Sequence, residues 1–118
     1  MKSISEFSQI FLCKDFVDMR LGINGLSLLV EQQLHLSPFN SQLFVFTNKA
    51  CNRIKILYWD KSGFALWLKR LEKSRFKWLS QSDESAIKID SIQLQLLLDG
   101  IDLSKLKPHK NLFYKTIL

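Results

Sequence analysis

The chain has 118 residues, 47% hydrophobic and 24% charged, and carries +6 from 17 Lys and Arg against 11 Asp and Glu. That length and balance suit one folded domain with a real core and exclude overall disorder. Apolar runs such as Leu26 to Val30 and Leu96 to Leu98 fall far short of the roughly 20 residues needed to cross a bilayer, so no membrane contact is expected.

Ile4, Phe7, Ile10 and Phe11 are broken by polar residues, so no signal peptide is evident and a cytoplasmic protein is the expectation. Gln9 to Cys13 predicts a short strand. Asp18 then has the character of an N-cap, its carboxylate accepting from free first-turn amides. Ile23, Leu26, Val30 and Leu34 follow at helical spacing, predicting a helix from about Met19 to Leu34. Gly22 and Gly25 within it each cost about 1 kcal/mol relative to alanine, which suggests that another backbone comes close there.

Ser37-Pro38-Phe39-Asn40 is a loop signal, Leu43 to Thr47 a short apolar strand, and Asn48 to Asn52 a polar turn. Strands are expected over Arg53 to Asp60, Phe64 to about Glu72, and Arg75 to Trp78, the last after a tight Lys73-Ser74 turn. Asp60-Lys61-Ser62-Gly63 suits a type I turn closed by a left-handed glycine, which would pair Asp60 with Phe64. In that register Ile54, Ile56, Tyr58, Phe64, Leu66 and Leu68 form a core face. Arg53, Lys55, Trp59, Trp67 and Lys69 share the other face with Leu57, Ala65 and Leu71, and a slip of one residue would turn lysines inward.

Leu79 to Ala86 is a polar loop. Asp90 and Gln93 form a capping-box-like pair opening a short helix with Ile92, Leu94, Leu96, Leu97 and Leu98, and Gly100 is its stop. Residues 1–104 are thus expected to form a single α+β domain, an antiparallel meander sheet of about four or five strands with two helices packed on one face. Residues 105–118 form a basic tail with Lys105, Lys107, Lys110 and Lys115. It is open to two readings, a mobile arm or a segment docked through Leu112, Phe113 and Ile117.

Charge is distributed unevenly. Residues 49–78 hold nine basic and two acidic side chains and all three tryptophans, Trp59, Trp67 and Trp78. Basic groups neutralise phosphates and aromatic rings stack on bases, so this composition suits a nucleic-acid surface. The candidate DNA-binding residues are Arg53, Lys55, Trp59, Trp67, Lys69, Arg70, Arg75 and Lys77. A solvated face whose tryptophans lie under a helix competes with that reading, and Leu57 and Leu71 favour the competitor. Asp18 and Arg20 are either a partner contact or a helix cap with a local ion pair.

Chemistry has little to work with. Cys13 and Cys51 lie far apart and the only histidines are His35 and His109, so no metal site and no cofactor is expected, and both cysteines read as half-buried hydrophobes. Phosphoryl transfer on DNA usually needs two or three convergent carboxylates. Asp60 reads as a turn residue, and Asp99 and Asp102 as helix-end acids beside Gly100. No glycine-rich phosphate loop is present, and no catalytic residue is assigned.

Several stretches in order resemble one family: Asp18-Met19-Arg20-Leu21-Gly22-Ile23-Asn24-Gly25-Leu26, Leu43-Phe44-Val45-Phe46, Arg53 to Asp60, Gly63 to Glu72, Arg75-Phe76-Lys77-Trp78, and Leu97-Leu98-Asp99-Gly100-Ile101-Asp102. It is the TnpB-type, or Orf2-like, accessory protein of bacterial insertion sequences of family sixty-six, and the likeness runs from about residue 8 to 108. This chain has Leu21 where the family usually has lysine, Asn24 where aspartate is common, and Leu79 where proline usually follows the tryptophan. The resemblance implies a non-catalytic accessory factor in DNA transposition. Its partners would be a separate transposase and a second small accessory protein of the same element. In that setting the basic, Trp-containing hairpin would bind DNA electrostatically and assist the transposase. The alternative is a protein–protein adaptor that contacts either protein without touching DNA.

Overall fold

A computed structural model describes residues 7–79 and 83–103. Its framework is a five-stranded sheet, β1 (Gln9–Cys13), β2 (Gln42–Thr47), β3 (Arg53–Asp60), β4 (Gly63–Arg70) and β5 (Ala86–Ile89), in the order β4-β3-β2-β1-β5. Helix α1 (Ile23–Gln32) connects β1 to β2, and α2 (Ser91–Leu98) follows β5. Because a helix intervenes, β1 and β2 can run parallel, with Gln9 beside Gln42 and Leu12 beside Val45; the other three pairings are antiparallel. The fold is α+β, but the sheet is mixed and not a pure antiparallel meander.

The central strands are apolar on both sides, which requires a cover on both faces. Ile10, Leu12, Leu43, Val45, Ile54 and Ile56 pack with Leu94, Leu97 and Leu98 of α2. The alternate residues Cys13, Phe44, Phe46 and Leu57 pack with Leu26 and Val30 of α1. The helices therefore cover opposite faces and not one, because two-sided strands cannot leave either face in water.

Helix α1 is shorter than the sequence spacing suggests. Asp18 does not cap it: its carboxylate accepts from the Arg20 backbone N–H at 2.8 Å and from the Arg20 guanidinium at 2.6 Å. Gly22 is the N-cap and supplies no side-chain bond. No foreign backbone lies against either glycine. A Cβ on Gly22 would meet nothing, and one on Gly25 would meet only the Leu21 side chain. Helix α2 starts as expected, with Asp90 and Gln93 satisfying each other's backbone N–H. It ends in a Schellman motif: Gly100, at φ +84°, donates to the Leu97 carbonyl and Ile101 to the Leu96 carbonyl.

The β3–β4 hairpin departs from the expected register by one residue. Asp60 pairs with Gly63, and Trp59 with Phe64. Lys61, at φ +53°, takes the left-handed position, so a two-residue loop suffices and Gly63 is already in the strand. A shift of one residue turns β4 over relative to β3. Ala65, Trp67 and Lys69 now share the α2 side with Ile54, Ile56 and Tyr58, while Phe64, Leu66 and Leu68 join Leu57 on the α1 side.

Residues 75–78 form no strand. After β4 the chain must reach β5 on the far edge, and it crosses the strand ends to do so. Leu71 N–H donates to the Asn52 carbonyl, Phe76 N–H to the Cys51 carbonyl, and Trp78 Nε1 to the Cys13 carbonyl. Phe76 anchors this crossing, 2% exposed within the α2-side core. Strand β5, absent from the sequence reading, forms because β1 has a free edge: Ile10 pairs with Ile89 and Cys13 with Ala86. The basic tail at 105–118 lies outside the described residues.

Candidate nucleic-acid interface

The crossing segment assembles a site at one end of the sheet, beyond the carboxyl ends of β1, β2 and β4. Asn48 fixes the loop between β2 and β3. Its Oδ1 accepts from the N–H groups of Asn52 and Arg53, and its Nδ2 donates to Asn52 Oδ1 at 2.7 Å. Cys51 takes a left-handed conformation at φ +54° and returns an N–H to the Asn48 carbonyl. This local closure presents Lys49 outward. Beyond β1, the Val17 N–H donates to the Thr47 carbonyl and sets Phe16 at the surface, 46% exposed.

Between these loops and the crossing segment lies an open cleft of about 310 Å³. Lys49, Arg75 and Lys77 line it with Phe16, Trp78 and Cys51, and Asp102 adds one carboxylate. Arg75 and Lys77 are exposed while Phe76 between them points into the core. The alternation is what sends both charges to the same side. Among the described residues no ion pair engages Lys49, Arg75 or Lys77. Arg53 and Arg70 are direct cross-strand partners at the same end, where like charges face each other. Glu72 offsets one of them through a 2.9 Å ion pair with Arg70.

The expected interface is thus divided. Arg53, Arg70, Arg75 and Lys77 converge at the sheet end. Lys55 lies on the α1 side, where its Nζ donates at 2.8 Å to both the Met19 and Leu21 carbonyls. Trp59 packs in an aromatic group with Phe39 and Phe64, ring centroids 5.0–5.4 Å apart. Lys69 is on the opposite face and donates to the Leu98 carbonyl at the end of α2, and Trp67 packs against the α2-side core. The shared face expected for Arg53, Lys55, Trp59, Trp67 and Lys69 does not exist, because the one-residue register shift separates them.

Lys49, Phe16 and Trp78 lie in the site but not among the residues that the sequence marks for DNA contact. Lys49 and Trp78 belong to the basic stretch, but nothing in their spacing shows that a crossing segment gathers them. Asp18 and Arg20 form an exposed local pair whose guanidinium holds the carboxyl down at about 2, aided by the Arg20 N–H. Burial pushes the Cys13 thiol up to about 11 and raises that of Cys51 against the opposing pull of Arg75 and Lys77. Neither cysteine is therefore an activated nucleophile. Among the described residues no three His, Cys, Asp or Glu side chains lie close enough to hold a metal ion. No helix among them is long and apolar enough to cross a membrane.

No solved structure matches the chain. Two relatives come from Sinorhizobium fredii. The uncharacterized protein y4hO is 37% identical over 94 residues, covering 80% of this chain and 81% of its own. The uncharacterized protein y4jC is 35% identical over 99 residues, covering 84% of each. The family model described as IS66 Orf2 like protein matches residues 8–108, a span that includes every described element. The chain belongs to the IS66 Orf2-like family, which gives it an accessory role in the transposition of insertion sequences.

Proposed function

We propose that this protein assists a separate transposase, without catalysing strand transfer itself, by binding the DNA backbone through the basic end of its sheet. The observation that carries the reading is the convergence of Lys49, Arg53, Arg70, Arg75 and Lys77 at one end, where the fold could have dispersed them. Like charges brought together lower stability unless a counter-charge is supplied, and a phosphate backbone supplies it. Lys55 and Lys69 support the fold and make no DNA contact in this account.

The test is fluorescence anisotropy of labelled duplex DNA across a range of salt concentrations. Each neutralised phosphate contributes about 0.9 to the log–log salt slope, so three to five cations predict a slope of roughly −3 to −4.5. Substituting Lys49, Arg75 and Lys77 together by Glu removes most of that slope. A slope near zero in the wild type contradicts the proposal.

A second reading has its own observation. Phe39 is 53% exposed on the α1 side of the hairpin, beside Trp59 and Phe64, and Leu68, 56% exposed, lies further along the same side. An adaptor docking this patch onto the transposase or the second accessory protein would bind it with little salt dependence. Phe39→Ser would then release the partner and leave DNA affinity unchanged.

A further inference from the structure

We infer that the cleft at the sheet end takes one unpaired nucleotide of DNA, its phosphates on Lys49, Arg75 and Lys77 and its base against Phe16 and Trp78. The inference rests on the DNA-binding reading above and adds which form of DNA is preferred. Shape argues first. Base edges inside a duplex are reached by elements that protrude into a groove, whereas this site is concave. At about 310 Å³ it lies at the small end of ligand clefts, roughly 300–1,000 Å³, which suits one nucleotide and not a duplex.

The walls supply the second argument. Trp78 has its indole N–H bound to the Cys13 carbonyl at 3.0 Å, so its ring is held in place. Phe16 also lines the cleft, 46% exposed, next to the buried Val17 and a few residues past the strand end at Cys13. A large aromatic left in water beside three cations that have no ion pair among the described residues is the combination that single-stranded sites use, with ring faces for bases and charges for the backbone. Asp102 is one carboxylate against three cations, which leaves the lining net positive. Strained or unpaired element ends, where bases are already unstacked, are the DNA this site fits.

The experiment compares three labelled DNAs of equal length at one salt concentration: a duplex, the same duplex with a short single-stranded 3′ or 5′ overhang, and the single strand. Wild type is expected to bind the overhang and single strand at least tenfold more tightly than the blunt duplex. Phe16→Ala should remove about tenfold of that preference and Phe16→Tyr should keep it. Because Phe16 is half exposed, both variants should melt like wild type by circular dichroism, and the Tyr variant guards against a folding artefact. Equal affinity for all three DNAs, or a Phe16→Ala variant that keeps the preference, overturns the nucleotide cleft but leaves backbone binding standing. Absence of salt-dependent binding to any of the three overturns the DNA reading itself.

Discussion

Lys55 donates two hydrogen bonds to main-chain oxygens and Lys69 donates one, so removing either side chain uncovers carbonyls that no other described group satisfies. Lys55→Met is expected to lower stability by about 1–2 kcal/mol, measured as a drop in urea midpoint, while leaving the salt slope of DNA binding unchanged. Asp18 offers a second residue-scale check. Its folded-state pKa of about 2 lies below the ordinary 3.8, so the stability it contributes is present above about pH 4 and lost as pH falls through 2. A carbon-detected NMR titration should show Asp18 still ionised at pH 3. The Arg20→Ala variant should return it toward the ordinary value, and an unmoved midpoint would show that the guanidinium is not the cause. Since both side chains are exposed, the effect of the pair on the melting temperature should be slight.

Elements defined by local chemistry were legible in the sequence. The span of β1, the limits of β3, the Asp90–Gln93 capping box and the Gly100 stop all follow from signals within a few residues. Asp90→Ala should therefore cost about 1 kcal/mol, and Gly100→Ala about 1–2 kcal/mol because of its left-handed φ. Features set by distant partners were not legible. Asp-Lys-Ser-Gly accommodates either turn, and β4 is apolar on both faces, with Phe64, Leu66 and Leu68 against Ala65 and Trp67, so its pattern cannot choose the register. The choice falls to packing against α1 and α2. Likewise Arg75 to Trp78 alternates as a strand would, yet the chain must cross to β5. Phe76→Ala should cost about 3–5 kcal/mol in thermal or urea unfolding, as expected of a core anchor and not of an edge-strand residue.

At the scale of the molecule, the excess positive charge is legible in composition, and its location is not. Of the eight side chains expected to meet DNA, four gather at the sheet end, and the fold adds Lys49 to them along with the aromatic walls Phe16 and Trp78. Two of the remainder stabilise main-chain carbonyls and two are packed tryptophans. Position must then matter more than net charge. Lys61 sits in the turn at the opposite end of the hairpin, exposed like Lys77, and provides a charge-matched control. The decisive measurement is the salt slope of DNA binding for Lys77→Glu beside Lys61→Glu. The account predicts that Lys77→Glu reduces the slope by about one and weakens binding, while Lys61→Glu stays close to wild type. Equal losses in both variants would mean that only overall charge attracts DNA, and would contradict a binding site at the end of the sheet.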